Sequence, residues 1–176
     1  MTTDFYHKKQ IVFPGIILRV VTSLLDFTVV AILISPLIQI LVLKLFNIYF
    51  ADFLLSHNLE VKSPDDIRIV ITHDDFTGYL NNANYLSYFF IISVAQFFMY
   101  SIYFIISWWK FGTTIVKYIF KMRIIDYRSQ SKPTLINCII RYFSYSFVLV
   151  SIFTIMFRKD KRAIHDIFSR TIVIKS

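Results

Sequence analysis

Three features of this sequence predict an all-α polytopic membrane protein. From Tyr85 to Trp109 the chain runs 25 residues without an Asp, Glu, Lys or Arg, and a bilayer's hydrocarbon core needs about 20 such residues as a helix. The 176 residues are 56% hydrophobic and 18% aromatic, with three glycines and four prolines to interrupt the apolar runs. The net charge of +8 flanks those runs instead of forming one basic face. That is the positive-inside pattern of a membrane protein, and it argues against a nucleic-acid partner. The expected architecture is two transmembrane helices, a third apolar segment that either crosses or re-enters, an amphipathic cytoplasmic helix and a short strand pair. All of it belongs to a single membrane domain over 1–176, with no soluble globular core of its own and the lipid bilayer as its surroundings.

Residues 1–15 form a polar leader with His7, Lys8 and Lys9, closed by Pro14-Gly15. No small-x-small cleavage site follows, and the apolar run from 16 to about 46 exceeds the 7–15 residues of a signal sequence. It reads as an uncleaved first span, kinked near Pro36, where the ring removes a backbone hydrogen bond. The connection 47–84 carries six acids (Asp52, Glu60, Asp65, Asp66, Asp74, Asp75) against Lys62 and Arg68, which makes it the natural extracytoplasmic loop. Within it, Ile67–Thr72 alternates apolar and polar residues after a Ser63-Pro64-Asp65-Asp66 turn signal, the pattern of a short strand. The second span, 85–109, ends in Trp108-Trp109-Lys110, an interfacial aromatic pair with a cation beyond it.

Residues 110–132 hold Lys110, Lys117, Lys121, Arg123, Arg128 and Lys132, so this stretch is expected in the cytoplasm. Lys110, Thr114, Lys117 and Lys121 recur at helical spacing, as in an amphipathic helix with its lysines toward anionic lipid. Arg123–Asp126 then reads as a short strand. The third apolar segment, 133–157, is interrupted by Arg141, expected to snorkel toward the headgroups. The tail, 158–176, opens on a basic run and closes on the strand-like Thr171–Ile174. Its six basic residues favour a cytoplasmic C-terminus on the same side as the N-terminus, whereas a full third crossing would put it outside. Two strands left on one membrane side would tend to pair, which would carry Asp166 toward Arg19.

Polar residues inside the apolar runs are the informative positions, because a charge at the bilayer centre costs about 2.5–3.5 kcal/mol on the insertion scale. Arg19 lies about a turn inside the first span, with Asp26 about 10 Å further along nearly the same face. Asp26 therefore needs protein, water or a cation beside it. Thr22 and Ser23 are near, and the stripe Ser93, Gln96, Tyr100, Tyr103 and Ser107 of the second span is the expected partner face. Two roles stay open: a structural clamp between helices, or an ion or proton site made of Arg19, Asp26 and Gln96, with His165 and Asp166 from the tail. His165-Asp166 alone most often marks a helix cap or turn. No phosphate-binding glycine loop, metalloprotease helix, nucleophile elbow or paired cysteine is present, so neither an enzyme nor a cofactor or metal site is expected. Cys138, the one cysteine, excludes an internal disulfide.

The same residues carry a family resemblance. Arg19 and Asp26 resemble the first two signature residues of the RDD family of bacterial membrane proteins. The tail from Arg162 to Ile174 resembles its closing motif, with Asp166 as the third signature residue. Thr114-Ile115-Val116-Lys117 and Lys121–Asp126 are similar to its Thr-x-Gly-Lys segment and short apolar strand. Val116 stands where a glycine is usual, and Ser169-Arg170 replaces a small-Gly pair. The resemblance covers the spans and cytoplasmic segments but not 47–84. It implies a multi-pass protein of a bacterial inner membrane, with transport as the suspected activity, since one member is reported as a sodium/proton antiporter. Transport of an ion or small solute through so few helices requires a homo-oligomer or a larger membrane partner. The alternative is a non-transporting assembly or binding subunit in which Arg19, Asp26 and Asp166 are structural ties.

Overall fold

The computed structural model describes residues 12–80, 84–145 and 163–175. The leader's His7, Lys8 and Lys9, the path of 133–157 beyond Tyr145, and the basic run 158–162 lie outside the described residues. The described chain is mainly helical, as expected, with one two-stranded antiparallel sheet. Two helices are long and apolar enough to cross a membrane. The first, α1 (Ile16–Tyr49), runs through Pro36. The second contains α5 (Asn84–Ile106), which a π-helical turn, Ser107–Phe111, extends. Only 11% of the apolar window of each is buried. A core helix of a soluble protein would be mostly covered, whereas side chains such as Ile17, Leu24, Leu33 and Phe90 face outward and suit lipid.

The residues fall into two compact units, each containing part of both long helices: 29–100, and 1–28 with 101–176. In the first of these, the expected loop is a small helical cap. Helix α2 (Ala51–Ser56), α3 (Pro64–Ile71) and α4 (Phe76–Tyr79) pack a buried cluster of Phe46, Phe50, Phe53, Val70, Phe76 and Tyr88. Most of its rings meet edge to face or tilted, Phe53 and Phe76 at 5.1 Å and Phe50 and Tyr88 at 5.4 Å, while Phe46 and Phe76 stack at 6.2 Å, arrangements that the aromatic quadrupole favours. The stretch expected as a loop is thus folded on an aromatic cluster that it shares with both long helices.

The strand expected at Ile67–Thr72 is likewise helix α3. The reason lies in the preceding turn signal, which is a complete capping box. The Ser63 hydroxyl accepts from Asp66 N at 3.3 Å, and Asp66 Oδ2 accepts from Ser63 N at 2.7 Å, with Pro64 in the first turn. Burial then follows a spacing of three, with Ile67 half-buried and Val70 buried while Ile69 and Ile71 are exposed.

In the other unit, the two expected strands form and pair. Strands β1 (Met122–Asp126) and β2 (Thr171–Lys175) are antiparallel, with Ile124 opposite Val173. Lys175 N also donates to Val12 O at 2.9 Å, so the residues leading into α1 join the sheet. Helix α6 (Ile115–Ile119) precedes β1. It is much shorter than the amphipathic helix expected over 110–122, and Lys117 is buried inside it rather than turned to lipid. Helix α7 (Leu135–Ser144) covers the described start of the third apolar segment, and α8 (Ile164–Phe168) leads into β2. Trp108 also departs from expectation. It is buried, stacked on Tyr145 at 5.6 Å, and only Trp109 is exposed.

Gly112 joins the second long helix to the sheet. It adopts φ +67°, its N–H donates to Trp108 O at 3.0 Å, and its carbonyl accepts from Ile124 N at 2.6 Å. A Cβ there would lie 3.2 Å from Ile124 O. Arg170, where the RDD motif usually has glycine, also takes a left-handed φ of 52°. A left-handed backbone costs a non-glycine residue about 1–2 kcal/mol. Gly112→Ala should therefore lower thermal stability in mild detergent by at least that much. Gly78→Ala, with nothing within 4 Å of the added methyl, should not. Arg170→Gly should raise stability by about 0.5–1 kcal/mol after the entropy of the freer unfolded chain is subtracted.

Candidate functional site

Two buried ionic clusters, both in the unit of 1–28 and 101–176, hold charges that fall within the apolar segments. The first is built on Asp26. Its carboxylate is 1% exposed and takes three donors from one short segment: the Thr114 hydroxyl, Val116 N at 3.1 Å and Lys117 Nζ at 2.9 Å. Thr114 is the N-cap residue of α6 in extended conformation, and it donates its hydroxyl instead of capping its own helix. Asp26 supplies the missing cap from α1, and its negative charge suits a helix N-terminus. Lys117, one turn on, closes the ion pair with a side chain 4% exposed.

The expected partner face was different. Ser93 and Gln96 are exposed, and they and Tyr100 belong to the other compact unit. Gln96 thus has no place among the ligands of Asp26. Thr22 is also occupied elsewhere, since its hydroxyl donates to Leu18 O at 2.8 Å within its own helix.

The second cluster is built on Asp166, which is fully buried. Its Oδ2 accepts from Arg19 Nη1 at 3.2 Å and from Ala163 N at 3.3 Å, and its Oδ1 accepts from Arg141 Nη1 at 2.5 Å. Arg19 also donates to Val173 O at 3.1 Å, and Arg141 to the Thr171 hydroxyl at 2.5 Å. One carboxylate on α8 thereby binds α1, α7 and β2 together. The predicted Arg19–Asp166 contact is present, and Asp166, in the first turn of α8, also accepts from the backbone N–H of the N-cap residue Ala163. Arg141 does not snorkel. It is 1% exposed, its guanidinium lies 5.4 Å from the Trp108 ring centroid and 5.8 Å from that of Tyr145, and such faces attract a cation.

His165 stacks on Tyr145 at 4.4 Å with 16° between the planes. Burial pushes its pKa down to about 3, against the pull of Asp166, and the charges of Arg141, Lys117 and Arg19 add to the depression. It is therefore a neutral ring at physiological pH, whose role is packing. Asp166 sits below the usual carboxylate range. Burial acts to raise it, but the Arg141 and Arg19 guanidiniums outweigh burial.

Of the residues expected at the site, Arg19, Asp166 and His165 come together, Asp26 makes a separate pair, and Gln96 joins neither. Lys117, Thr114, Arg141 and Thr171 were missed. Two signals could have found them: an arginine inside an apolar run, and Thr114 and Lys117 spaced one turn apart.

The RDD family model matches residues 13–170 and runs through 47–84, which the motifs alone did not reach. An uncharacterised protein of Rickettsia prowazekii (strain Madrid E) is 32% identical over 172 residues, covering 96% of this chain and 99% of the relative. No solved structure matches. Neither finding gives a sign of enzymatic activity.

Removing Asp166 would strand two buried guanidiniums, so Asp166→Asn should destabilise the protein by about 3–5 kcal/mol and sharply reduce folded yield by size-exclusion chromatography. The depressed pKa of His165 gives a second test. The unfolded chain takes up this proton more readily, so the stability from neutral His165 is complete above about 6.5 and is lost as pH falls toward 3. Asp166, whose pKa is also depressed, acts in the same direction at lower pH. The melting temperature should fall across this window in the wild type and fall less steeply in His165→Phe.

Proposed function

The chain belongs to the RDD family of membrane proteins, and on that premise we propose that Arg19, Asp26 and Asp166 are structural ties of a multi-pass protein of the bacterial inner membrane, acting as an assembly or binding subunit. The observation that carries this reading is the saturation of both carboxylates. Asp26 accepts three donors and Asp166 three, and each set includes a cationic side chain. Hard cations such as Ca²⁺ and Mg²⁺ require six to eight oxygen ligands, and here an ammonium already stands 2.9 Å from the Asp26 carboxylate. The ties hold the strand pair and α8 against the base of the first span, as a platform for a second copy or a larger membrane partner.

The same contacts support both termini in the cytoplasm. The strand of the tail pairs with β1, beside the basic segment 110–132, and bridges Val12 just before the first span. The acidic stretch 47–84 then lies on the extracytoplasmic side.

Ion transport by an oligomer is the second reading, and one feature favours it. Lys117, Ser23, Trp108 and Tyr145 help to line a small cavity of about 10 Å³, enough for one water. Protonation of Asp26 would loosen Lys117 beside it. Reconstitution into proteoliposomes separates the two. With structural ties, Asp26→Asn lowers folded yield and melting temperature, and the wild type carries no more sodium or proton flux than empty vesicles. A wild-type flux that Asp26→Asn abolishes, with yield and assembly intact, would overturn the tie reading.

A further inference from the structure

We propose that the helical cap of residues 51–80 carries a binding site for a divalent transition-metal cation of the Zn²⁺ type, held by His57, His73 and Asp75. The proposal is independent of the roles of Arg19, Asp26 and Asp166. No sequence motif announces this site, because its members come from separate elements. His57 is the residue that ends α2, while His73 and Asp75 lie in the turn between α3 and α4. The fold brings one donor atom of each to within 4.8 Å of the others.

The buried ring of Phe53 organises the pair of histidines. It stacks on His57 at 4.2 Å and meets His73 edge-on at 5.9 Å, which sets the two imidazoles 4.8 Å apart at 72°. His57 Nδ1 lies 3.0 Å from the Phe53 carbonyl oxygen and 2.9 Å from the Ser56 hydroxyl, which leaves Nε2 as the nitrogen beside Asp75. A ligating histidine is characteristically oriented by a bond from its other nitrogen.

His57 Nε2 lies 3.5 Å from Asp75 Oδ2, and His73 Nδ1 stands 3.9 Å from the same oxygen. A cation between them gathers the three donor atoms into three bonds. Tetrahedral zinc, with bonds of about 2.0–2.2 Å, sets neighbouring donors about 3.3 Å apart, so the closing movement is small. The side chains of His73 and Asp75 are 38% and 73% exposed, and the movement must give up the long hydrogen bond that Asp75 N donates to His73 Nδ1 at 3.4 Å.

Two imidazoles and one carboxylate suit Zn²⁺, Cu²⁺ or Ni²⁺ better than Mg²⁺ or Ca²⁺, which take oxygen. Exposure leaves the fourth position to water. The surplus of acids in 47–84, six against two bases, draws cations to this surface.

The test uses the full chain in mild detergent, without a polyhistidine tag and stripped with a chelator. Zn²⁺ titrated against a chromophoric competitor should bind at one equivalent per chain with micromolar affinity or better. Co²⁺ in its place should give the visible absorption of a four- or five-coordinate centre, a readout that needs no variant. His57→Ala and His73→Ala should each weaken Zn²⁺ binding at least tenfold, and should abolish the rise in melting temperature that Zn²⁺ causes in the wild type. His7→Ala should leave both unchanged. Absence of stoichiometric binding, or binding that survives loss of both His57 and His73, overturns the proposal.

Discussion

One carboxylate, that of Asp166, pairs with guanidiniums from two different helices inside the protein, and the unit of 1–28 and 101–176 depends on it. Arg19 reaches it from the first span and Arg141 from α7, while the same two arginines bind Val173 O and the Thr171 hydroxyl on β2. Ionised groups out of water need partners of opposite charge and hydrogen bonds, and each member of this network supplies them to the others. The aromatic faces of Trp108 and Tyr145 lie beside the Arg141 guanidinium, and His165 stacks on the Tyr145 ring.

Asp26 and Lys117 repeat the device on a smaller scale. The acid on the first span caps α6, and the lysine one turn later cancels its charge, so the pair can remain at membrane depth. The two clusters together explain why a short chain of the RDD family keeps charges in its apolar segments. They attach the first span to the segment after the second span and to the tail. Saturated carboxylates serve attachment better than they serve passage of an ion.

Much of this architecture was readable from the residues. The charge-free run 85–109 identifies the second span, because an uncharged helix of that length finds enough apolar surroundings only in a bilayer, and the long apolar run from 16 identifies the first despite Arg19 and Asp26. Two short β-branched runs on one membrane side predicted the pairing of β1 with β2, and with it the contact of Arg19 with Asp166. The misreadings arise where two patterns share the same letters. Ile67–Thr72 alternates like a strand, yet Ser63 and Asp66 cap a helix there. Lys117 lies on a stripe of lysines, and only the tertiary position of Asp26 distinguishes it from its exposed neighbours Lys110 and Lys121. His57 and His73 carry no recognisable spacing, so their approach is a product of folding alone.

The central claim is that Arg19 and Asp166 stabilise the protein as a pair. A double-mutant cycle measures this directly, with Arg19→Met, Asp166→Leu and both together, followed by reversible unfolding in mild detergent. The account predicts that the double variant is less destabilised than the sum of the singles, with a coupling of about 1–3 kcal/mol, because the second substitution removes a charge that the first left unpaired. Effects that add to within about 0.5 kcal/mol, as they do for distant independent sites, would contradict it.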